Sequence, residues 1–194
     1  SKSGGRHLSL FAFSMENWKR PGEEVSFLMR LLDDYIEQEL ATILKENIRF
    51  IVMGAMELIP EGTRNKLQNA IDKSAGNTGM VLNLALSYGG RAEIVHAARQ
   101  AAVLAAKGEL NPDDITEESF GRHLYCPDVP DVDLLIRTSG ELRVSNFMLW
   151  QIAYAELFFT DKLWPDITED DIDAALADFN SRTRRFGKTD DQIS

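Results

Sequence analysis

A chain of 194 residues is long enough to form one domain with a substantial buried core. Its composition, 44% hydrophobic and 27% charged, is ordinary for a globular protein. Its formal net charge of -10 argues against nucleic-acid binding through a basic surface, although a locally basic pocket remains compatible with that charge.

The first half of the chain alternates between strand and helix patterns. His7 to Phe13 is apolar and alternating, which predicts a strand. From Val25 to Ile43, apolar residues recur at three- and four-residue steps, which predicts an amphipathic helix of about 20 residues. Residues 48–54 then predict a strand, Thr63 to Ser74 a short helix with Thr63 near its N-cap, and residues 79–90 a strand closed by glycines.

The second half continues the alternation. An alanine-rich helix is predicted from Arg91 to about Lys107, where Gly108 ends it, and a shorter helix after Thr116. Further along we expect a strand at 131–137, a helical segment at 146–154, a short strand at 156–159 and a last helix after Thr168 that runs to the basic residues 182–187. This order predicts an α/β domain with a mostly parallel sheet flanked by helices, and such sheets place ligands beyond the carboxyl ends of their strands.

Two arginines follow the predicted strand that ends at Ile136. Arg137 and Arg143 are separated by a Thr-Ser-Gly turn, and Ser145 and the first N–H groups of the predicted helix at 146 come next. Guanidinium groups match phosphate and carboxylate oxygens two at a time, so this segment predicts a cradle for an anion, which suits a diphosphate. In the alternative interpretation, Arg137 is paired with an acid such as Glu141 or Asp133, and Arg143 is simply solvated.

The predicted strand that ends at Phe13 is also followed by polar residues. The next seven residues include Ser14, Glu16, Asn17, Trp18 and Arg20. This mixture of apolar faces, neutral hydrogen-bonding groups and one cation suits a ligand with a charged head and an apolar tail. The alternative is a polar loop with Trp18 packed beneath it.

Glu156 is a carboxylate among apolar, strand-forming residues. Such a group is commonly a paired or capping acid, and less often a ligand of a hard metal such as magnesium. His7, His96 and His123 show no metal-ligand spacing, and no GxGxxG, Walker or HExxH pattern occurs. The single cysteine, Cys126, excludes an internal disulfide and has no basic neighbour in sequence to activate it.

Compartment and membrane attachment are also predicted from the sequence. No apolar run reaches the roughly 20 residues that span a bilayer, and the first residues show no signal-peptide pattern. With one cysteine, a reducing cytoplasm is the simplest compartment. We therefore expect no transmembrane segment and only peripheral membrane contact.

Three segments resemble the cis-prenyltransferase family, and within it the bacterial undecaprenyl diphosphate synthases. They are "LSLFAFSMENWKRPGEEVSFLM", "LNLALSYGGRAEIVHA" and "DLLIRTSGELRVSNFMLWQIAYAELFFTDKLWPD". The resemblance implies a homodimeric α/β enzyme with a hydrophobic tunnel between its sheet and helices. It also implies the substrates isopentenyl diphosphate and farnesyl diphosphate, magnesium as cofactor, and a long-chain polyprenyl diphosphate, undecaprenyl diphosphate, as precursor of a cell-wall lipid carrier.

The resemblance assigns roles to individual residues. Arg137, Arg143 and Ser145 are implied to hold the diphosphate of isopentenyl diphosphate, with Val144 between them. Glu156 is implied to be a magnesium ligand contributed across the dimer, and Asn17 the proton acceptor. The other implied substrate contacts are Phe13, Ser14, Met15, Glu16, Trp18, Arg20 and Glu24.

The sequence departs from the family pattern in two places. The family begins with a strand, an aspartate-containing loop and a helix, and "SKSGGRHL" matches only the end of that helix. We therefore expect one cis-prenyltransferase domain over residues 1–194 that is incomplete at its N-terminus. We expect this polypeptide alone to have little or no synthase activity, and its parent protein to have it. Ala55 stands where the family usually has an acid.

Two other functions compete with a catalytic prenyltransferase. One is a non-catalytic partner subunit of a prenyltransferase complex, but such subunits lose the catalytic motifs that this chain retains. The other is an unrelated phosphate-binding α/β protein such as a phosphatase. The absence of a nucleophile–base pair beside the arginines argues against it.

Overall fold

The computed structural model describes residues 4–184. These residues divide into two units, one that extends to Val129 and one that begins at Pro130. Each unit contains its own parallel sheet, with three strands in the first unit and two in the second. The predicted parallel α/β architecture is confirmed, and each unit has its own group of parallel strands.

The first unit has a three-stranded sheet flanked by helices. Its strands are β1 (His7–Ser14), β2 (Arg49–Met53) and β3 (Val81–Tyr88), and they lie in the order β1-β3-β2. Its helices are α1 (Gly22–Lys45), α2 (Glu61–Ser74), α3 (Gly90–Ala106) and α4 (Glu117–Gly121), and a 3₁₀ helix (Met15–Lys19) joins β1 to α1. The parallel register pairs Ser14 with Tyr88, so β1 and β3 end at the same edge of the sheet.

Helix α1 buries one apolar stripe in the core of this unit. Met29, Ile36 and Ile43 recur every seven residues and are buried against Phe50 and Leu67, among others. Burying one such side chain contributes about 1.5–3 kcal/mol relative to leaving it exposed. The helix predicted from the periodicity is therefore confirmed, and it also extends toward the N-terminus as far as Gly22.

Helix α2 begins before the predicted N-cap. Pro60 precedes its first residue, Glu61, and Thr63 is buried inside the first turn rather than at the cap. Pro60 is the N-cap residue, with φ -51° and ψ 140°, and it has no side-chain group that could cap the helix. Thr63, predicted to lie near the N-cap, lies three residues after it, and the helix begins two residues earlier than predicted.

The second unit pairs two short parallel strands, β4 (Leu134–Arg137) and β5 (Glu156–Phe159), and ends with α5 (Glu169–Ser181). The helical segment predicted at 146–154 is wrong, because this stretch forms turns. Ser145, Asn146 and Met148 all have left-handed backbones, with φ of 49°, 63° and 45°, which interrupts a right-handed helix. Residues 185–187 of the predicted basic helix end lie outside the described residues.

No helix within residues 4–184 combines the length and apolar character needed to cross a membrane.

Candidate functional site

The predicted substrate segment begins where β1 ends, in the first unit. The Asn17 carboxamide oxygen accepts a hydrogen bond from the Ser14 backbone N–H at 2.8 Å, which closes the first turn of the 3₁₀ helix. Trp18 packs edge-on against the Phe13 ring, with the ring centroids 5.0 Å apart. Its indole N–H donates to the Ser87 hydroxyl at 2.9 Å. The loop is thus folded on itself and fixed to the end of β3.

Three further predicted contacts of this segment, Glu16, Arg20 and Glu24, are exposed. Arg20 and Glu24 form an ion pair at 2.8 Å, and both side chains are about half exposed. Glu16 is exposed as well. An exposed ion pair of this kind contributes about 0–1 kcal/mol, so an incoming anion can compete for Arg20 at small cost.

A cavity of about 430 Å³ in the first unit reaches this segment through Met15. Its wall includes the basic side chains Arg91, His96 and Arg99 of α3, together with Glu57 and Tyr125. Ala55 lines it too. Its lining is therefore more basic than acidic, in a chain that is acidic overall.

The second predicted segment lies in the second unit, where β4 ends at Arg137. Backbone hydrogen bonds tie it to the residues that follow β5. The Thr160 N–H donates to the Arg137 carbonyl at 2.9 Å, the Ser139 N–H to the Lys162 carbonyl at 2.7 Å and the Gly140 N–H to the Thr160 carbonyl at 3.0 Å. The turn after Arg137 is therefore held on both sides.

The two arginines of this segment have different surroundings. Arg143 is paired with Glu141 and is 65% exposed, whereas Asp133 is paired with Arg184. Arg137 forms no ion pair within residues 4–184, and its buried Nε lacks a hydrogen-bond partner there. The alternative in which Arg137 is paired and Arg143 solvated is therefore wrong. The guanidinium of Arg137 is the one whose donors an anionic ligand would satisfy.

The backbone between Arg137 and Met148 is unusually strained. Ser139 and Ser145 adopt left-handed conformations, with φ of 70° and 49°. Non-glycine residues adopt such conformations only where the surrounding structure holds them, often at functional sites. Val144 and Ser145 are half-buried, and the Val144 carbonyl accepts a hydrogen bond from the Phe147 N–H at 3.0 Å.

Glu156 begins β5 and is paired with Arg182, which follows α5. The Arg182 guanidinium donates to Glu156 Oε2 at 2.8 Å and to Asp178 at 2.5 Å. The hydrogen bond to Glu156 raises the pKa of Arg182. Arg182 binds Oε2 of Glu156, and the carboxylate has a second oxygen. Magnesium takes oxygen donors and is usually held by one or two carboxylates plus substrate phosphates, so Glu156 suits it. No group of three His, Cys, Asp or Glu side chains suited to a metal was found within residues 4–184.

Cys126 is not a nucleophile at neutral pH. Burial raises the pKa of its thiol to about 12, and the nearby carboxylates of Glu93 and Asp128 act in the same direction. The thiolate is the reactive form of cysteine, so almost none is present.

Two residues in contact with the predicted site were missed by the sequence analysis. Ser87 accepts the indole hydrogen bond of Trp18, and Arg182 binds Glu156. The Ser-Tyr-Gly-Gly sequence at the end of β3 predicted the end of a strand. It did not predict the contact of Ser87 with Trp18, which is 69 positions away. Nothing in the sequence distinguished Arg182 except that it belongs to the basic residues 182–187.

A protein-family model matches most of the chain. The family model described as putative undecaprenyl diphosphate synthase matches residues 1–187. The chain belongs to this family. It is therefore a cis-prenyltransferase by descent, and the activity of the family is cis-prenyl chain elongation.

Individual relatives agree with this family membership. An isoprenyl transferase of Geobacter sulfurreducens is 49% identical over 194 residues, which are 100% of this chain and 79% of the relative. A ditrans,polycis-undecaprenyl-diphosphate synthase of Vibrio vulnificus, described as specific for (2E,6E)-farnesyl diphosphate, is 46% identical over 193 residues, 100% of this chain and 77% of the relative. The crystal structure of lavandulyl diphosphate synthase from Lavandula x intermedia in complex with dimethylallyl diphosphate is 40% identical, with a TM-score of 0.92 over 94% of this chain and 79% of that one.

Proposed function

We propose that the protein condenses isopentenyl diphosphate repeatedly with farnesyl diphosphate, forming cis double bonds. Its product would be a long-chain polyprenyl diphosphate of the undecaprenyl type, a precursor of the lipid carrier for cell-wall polysaccharides. The observation that carries this proposal is the unsatisfied buried donor of Arg137 at the end of β4. Support also comes from the Vibrio vulnificus relative, whose description names farnesyl diphosphate.

Arg137, Arg143 and Ser145 are proposed to bind the diphosphate of isopentenyl diphosphate. Arg137 supplies a guanidinium that no carboxylate of residues 4–184 neutralises. On binding, Arg143 leaves Glu141 and pairs with the ligand. The ion pair of Arg143 with Glu141 is exposed, and a diphosphate carries more negative charge than one carboxylate. The turns that hold Arg137 and Ser145 are formed before the ligand arrives, so little ordering accompanies binding.

The segment after β1 is proposed to contact the allylic substrate. Trp18 is half-buried and presents part of its apolar ring, Phe13 is buried and packs against that ring, and Ser14, Glu16, Arg20 and Glu24 present polar groups. Condensation joins C1 of the allylic substrate to C4 of isopentenyl diphosphate. The allylic C–O bond breaks, and the leaving diphosphate takes the electron pair. A proton then leaves C2 of isopentenyl diphosphate, and Asn17 is proposed to accept it at its carboxamide oxygen.

Magnesium is the proposed cofactor, with Glu156 as its protein ligand. When bound, it would neutralise the negative charge that develops on the leaving diphosphate. Glu156 suits this role because Arg182 holds one of its oxygens in place.

The growing chain is proposed to lie in a tunnel lined by α1. Besides its buried stripe, α1 carries Phe27, Leu31 and Tyr35 at four-residue steps, and they are 56%, 44% and 61% exposed. Large apolar side chains so exposed on one helix indicate a missing apolar neighbour. Each CH₂ group that the product buries would contribute roughly 0.8 kcal/mol, which favours retention of the chain between additions.

A second copy of the chain is the proposed protein partner, with α3 in the interface. Val95 and Val103 are half exposed on this helix, and Ala98, Ala102 and Ala106 are exposed with them. Between Gly90 and Ala106 the charged residues are Arg91, Glu93 and Arg99, and Glu93 is fully buried. A surface helix with so few charges suits packing against another helix. We propose that the chain acts as one cis-prenyltransferase domain in the cytoplasm, with peripheral membrane contact for product release.

The non-catalytic subunit is the weaker alternative, because Asn17, Arg137, Arg143, Ser145 and Glu156 are all present in this chain. Radiolabelled isopentenyl diphosphate distinguishes the two. The protein, prepared as its gene encodes it, should incorporate label into an organic-soluble product with farnesyl diphosphate and magnesium, and incorporation should stop when EDTA is added. Incorporation that is absent until a second polypeptide is added would support the partner-subunit function instead.

A further inference from the structure

Ser87 is a buried residue with an unfavourable backbone at the end of β3. It is 1% exposed, and its φ is 47°. Serine rarely adopts this left-handed conformation, which persists only where neighbouring structure holds it. Here the Ala55 N–H donates to the Ser87 carbonyl at 3.2 Å, so the residues that follow β2 help to hold it.

The side chain of Ser87 has a specific partner. Its hydroxyl oxygen accepts the indole N–H of Trp18 at 2.9 Å. The indole has only this one donor, so loss of the hydroxyl would leave it without the partner observed here. The remaining ring contact of Trp18, with Phe13, is apolar and does not fix the direction of the N–H.

The residue that makes the indole hydrogen bond is next to Asn17 in the chain. Asn17 and Trp18 are adjacent in a 3₁₀ helix of five residues, which is less than two turns long. At its start this helix is tied by Asn17 to the Ser14 N–H, and at Trp18 it is tied to Ser87. Two attachments in so short a helix define its rotation about its own axis, and with it the direction of the Asn17 carboxamide.

We propose that Ser87 is a positioning residue for prenyl transfer, which orients Asn17 through the indole of Trp18. The inference rests on the proposed function, because Asn17 has a chemical role only there. Ser87 does not line the cavity that reaches Met15 and is itself buried, so its effect passes through Trp18 rather than through contact with substrate.

Steady-state kinetics of the protein as its gene encodes it test this role. Ser87→Gly removes the hydroxyl and fits the left-handed backbone without strain. We expect kcat to fall at least about fivefold, since misplacements near 1 Å can cost up to about 100-fold. KM for isopentenyl diphosphate should change less than about twofold, because the residues proposed to bind its diphosphate are elsewhere.

Ser74→Ala is the matched control. Ser74 is a fully buried serine whose hydroxyl is also hydrogen-bonded, accepting from the Phe50 N–H at 3.0 Å and donating to the Ala70 carbonyl at 2.8 Å. Its removal should lower the melting temperature and leave kcat unchanged. Trp18→Phe removes the same hydrogen bond from the other side, so adding Ser87→Gly to it should reduce kcat by less than about twofold further. If the losses of kcat caused by the two substitutions multiply in the double variant, the inference is overturned.

Nuclear magnetic resonance of the indole and side-chain amide groups gives a second readout. The protein has three tryptophans, and Trp18→Phe assigns the Trp18 signal. In Ser87→Gly the Trp18 N–H signal and the Asn17 amide signal should both shift, and an Asn17 signal that stays in place overturns the inference. An inactive unmodified protein contradicts the proposed function. An active one whose Ser87→Gly variant keeps the full kcat contradicts this inference alone.

Discussion

Arg137 and Arg143 are alike in sequence but differ in their surroundings. Arg143 is neutralised by Glu141 near the surface, whereas Arg137 has a buried donor without a partner within residues 4–184. A buried, unsatisfied donor on a charged group is costly unless something binds it. Arg137 should therefore contribute more to anion binding than Arg143.

Substitution of Arg137 tests this difference. We expect Arg137→Ala to raise KM for isopentenyl diphosphate roughly 10- to 100-fold, the range expected for loss of a hydrogen bond to a charged group. Arg143→Ala should have a smaller effect, and Arg137→Lys should lie between wild type and alanine because lysine cannot form the two-pronged contact. Arg122→Ala, which removes an exposed ion pair with Glu118, is the control and should leave KM unchanged. Equal effects of Arg137→Ala and Arg122→Ala would contradict the assignment.

Short polar contacts determine where helix α5 begins. The N-cap of helix α5 is Thr168, whose N–H and hydroxyl both donate to Asp171 Oδ2, at 2.9 and 2.8 Å. Lys162, on the connection from β5, donates to both oxygens of the same carboxylate, at 2.6 and 2.9 Å. One carboxylate thus closes the first turn of α5 and ties it to the residues after β5, as a capping residue does.

The Asp171 contacts predict a pH-dependent stability. The hydrogen bond from Lys162, with those from Thr168, lowers the pKa of Asp171 from 3.8 to about 2. Because the folded-state pKa is depressed, the stabilisation is present above pH 4 and is lost as the pH falls toward 2. We expect Asp171→Asn to have a lower melting temperature than wild type at pH 7, and this difference to disappear near pH 2. Asp170→Asn, one residue earlier, is the control. A difference that persists unchanged at pH 2 would contradict the assigned cause.

At the scale of the whole molecule, two apolar surfaces of the first unit have no cover within the described residues. One is the stripe of Phe27, Leu31 and Tyr35 on α1, and the other is the face of α3 that includes Val95 and Val103. We propose that the first binds the prenyl chain and the second another copy of the protein. Small side chains on α3 allow two helices to approach closely, whereas the large side chains of α1 suit a flexible apolar ligand.

The α3 interface can be tested by association. The protein should sediment with twice its chain mass, and a Val95→Asp, Val103→Asp double variant should sediment as a monomer or weaken association at least about tenfold, because carboxylates in an apolar interface lose hydration without a partner. Leu44→Asp places the same charge on α1, at another partly exposed apolar position, and should leave the dimer intact. A double variant that remains dimeric would place the interface elsewhere.

Much of the fold was predictable from local patterns. The period of α1, the apolar runs of β1 and β3 and the alanine-rich α3 all appear in the structure, because periodicity and burial act over neighbouring residues. The predicted helix at 146–154 failed for a physical reason. Its composition suits a helix, but the left-handed backbones at Ser145, Asn146 and Met148 are imposed by the surrounding structure.

The sequence by itself determined the parallel α/β class, the polar segments after β1 and β4, and the family. Only the tertiary structure decided which charges are already neutralised. It paired Glu156 with Arg182 and Arg143 with Glu141, left Arg137 without an ion pair within residues 4–184, and brought Ser87 to Trp18. These contacts join residues whose relation depends on the path of the chain between them, and no local pattern of residue types encodes that path.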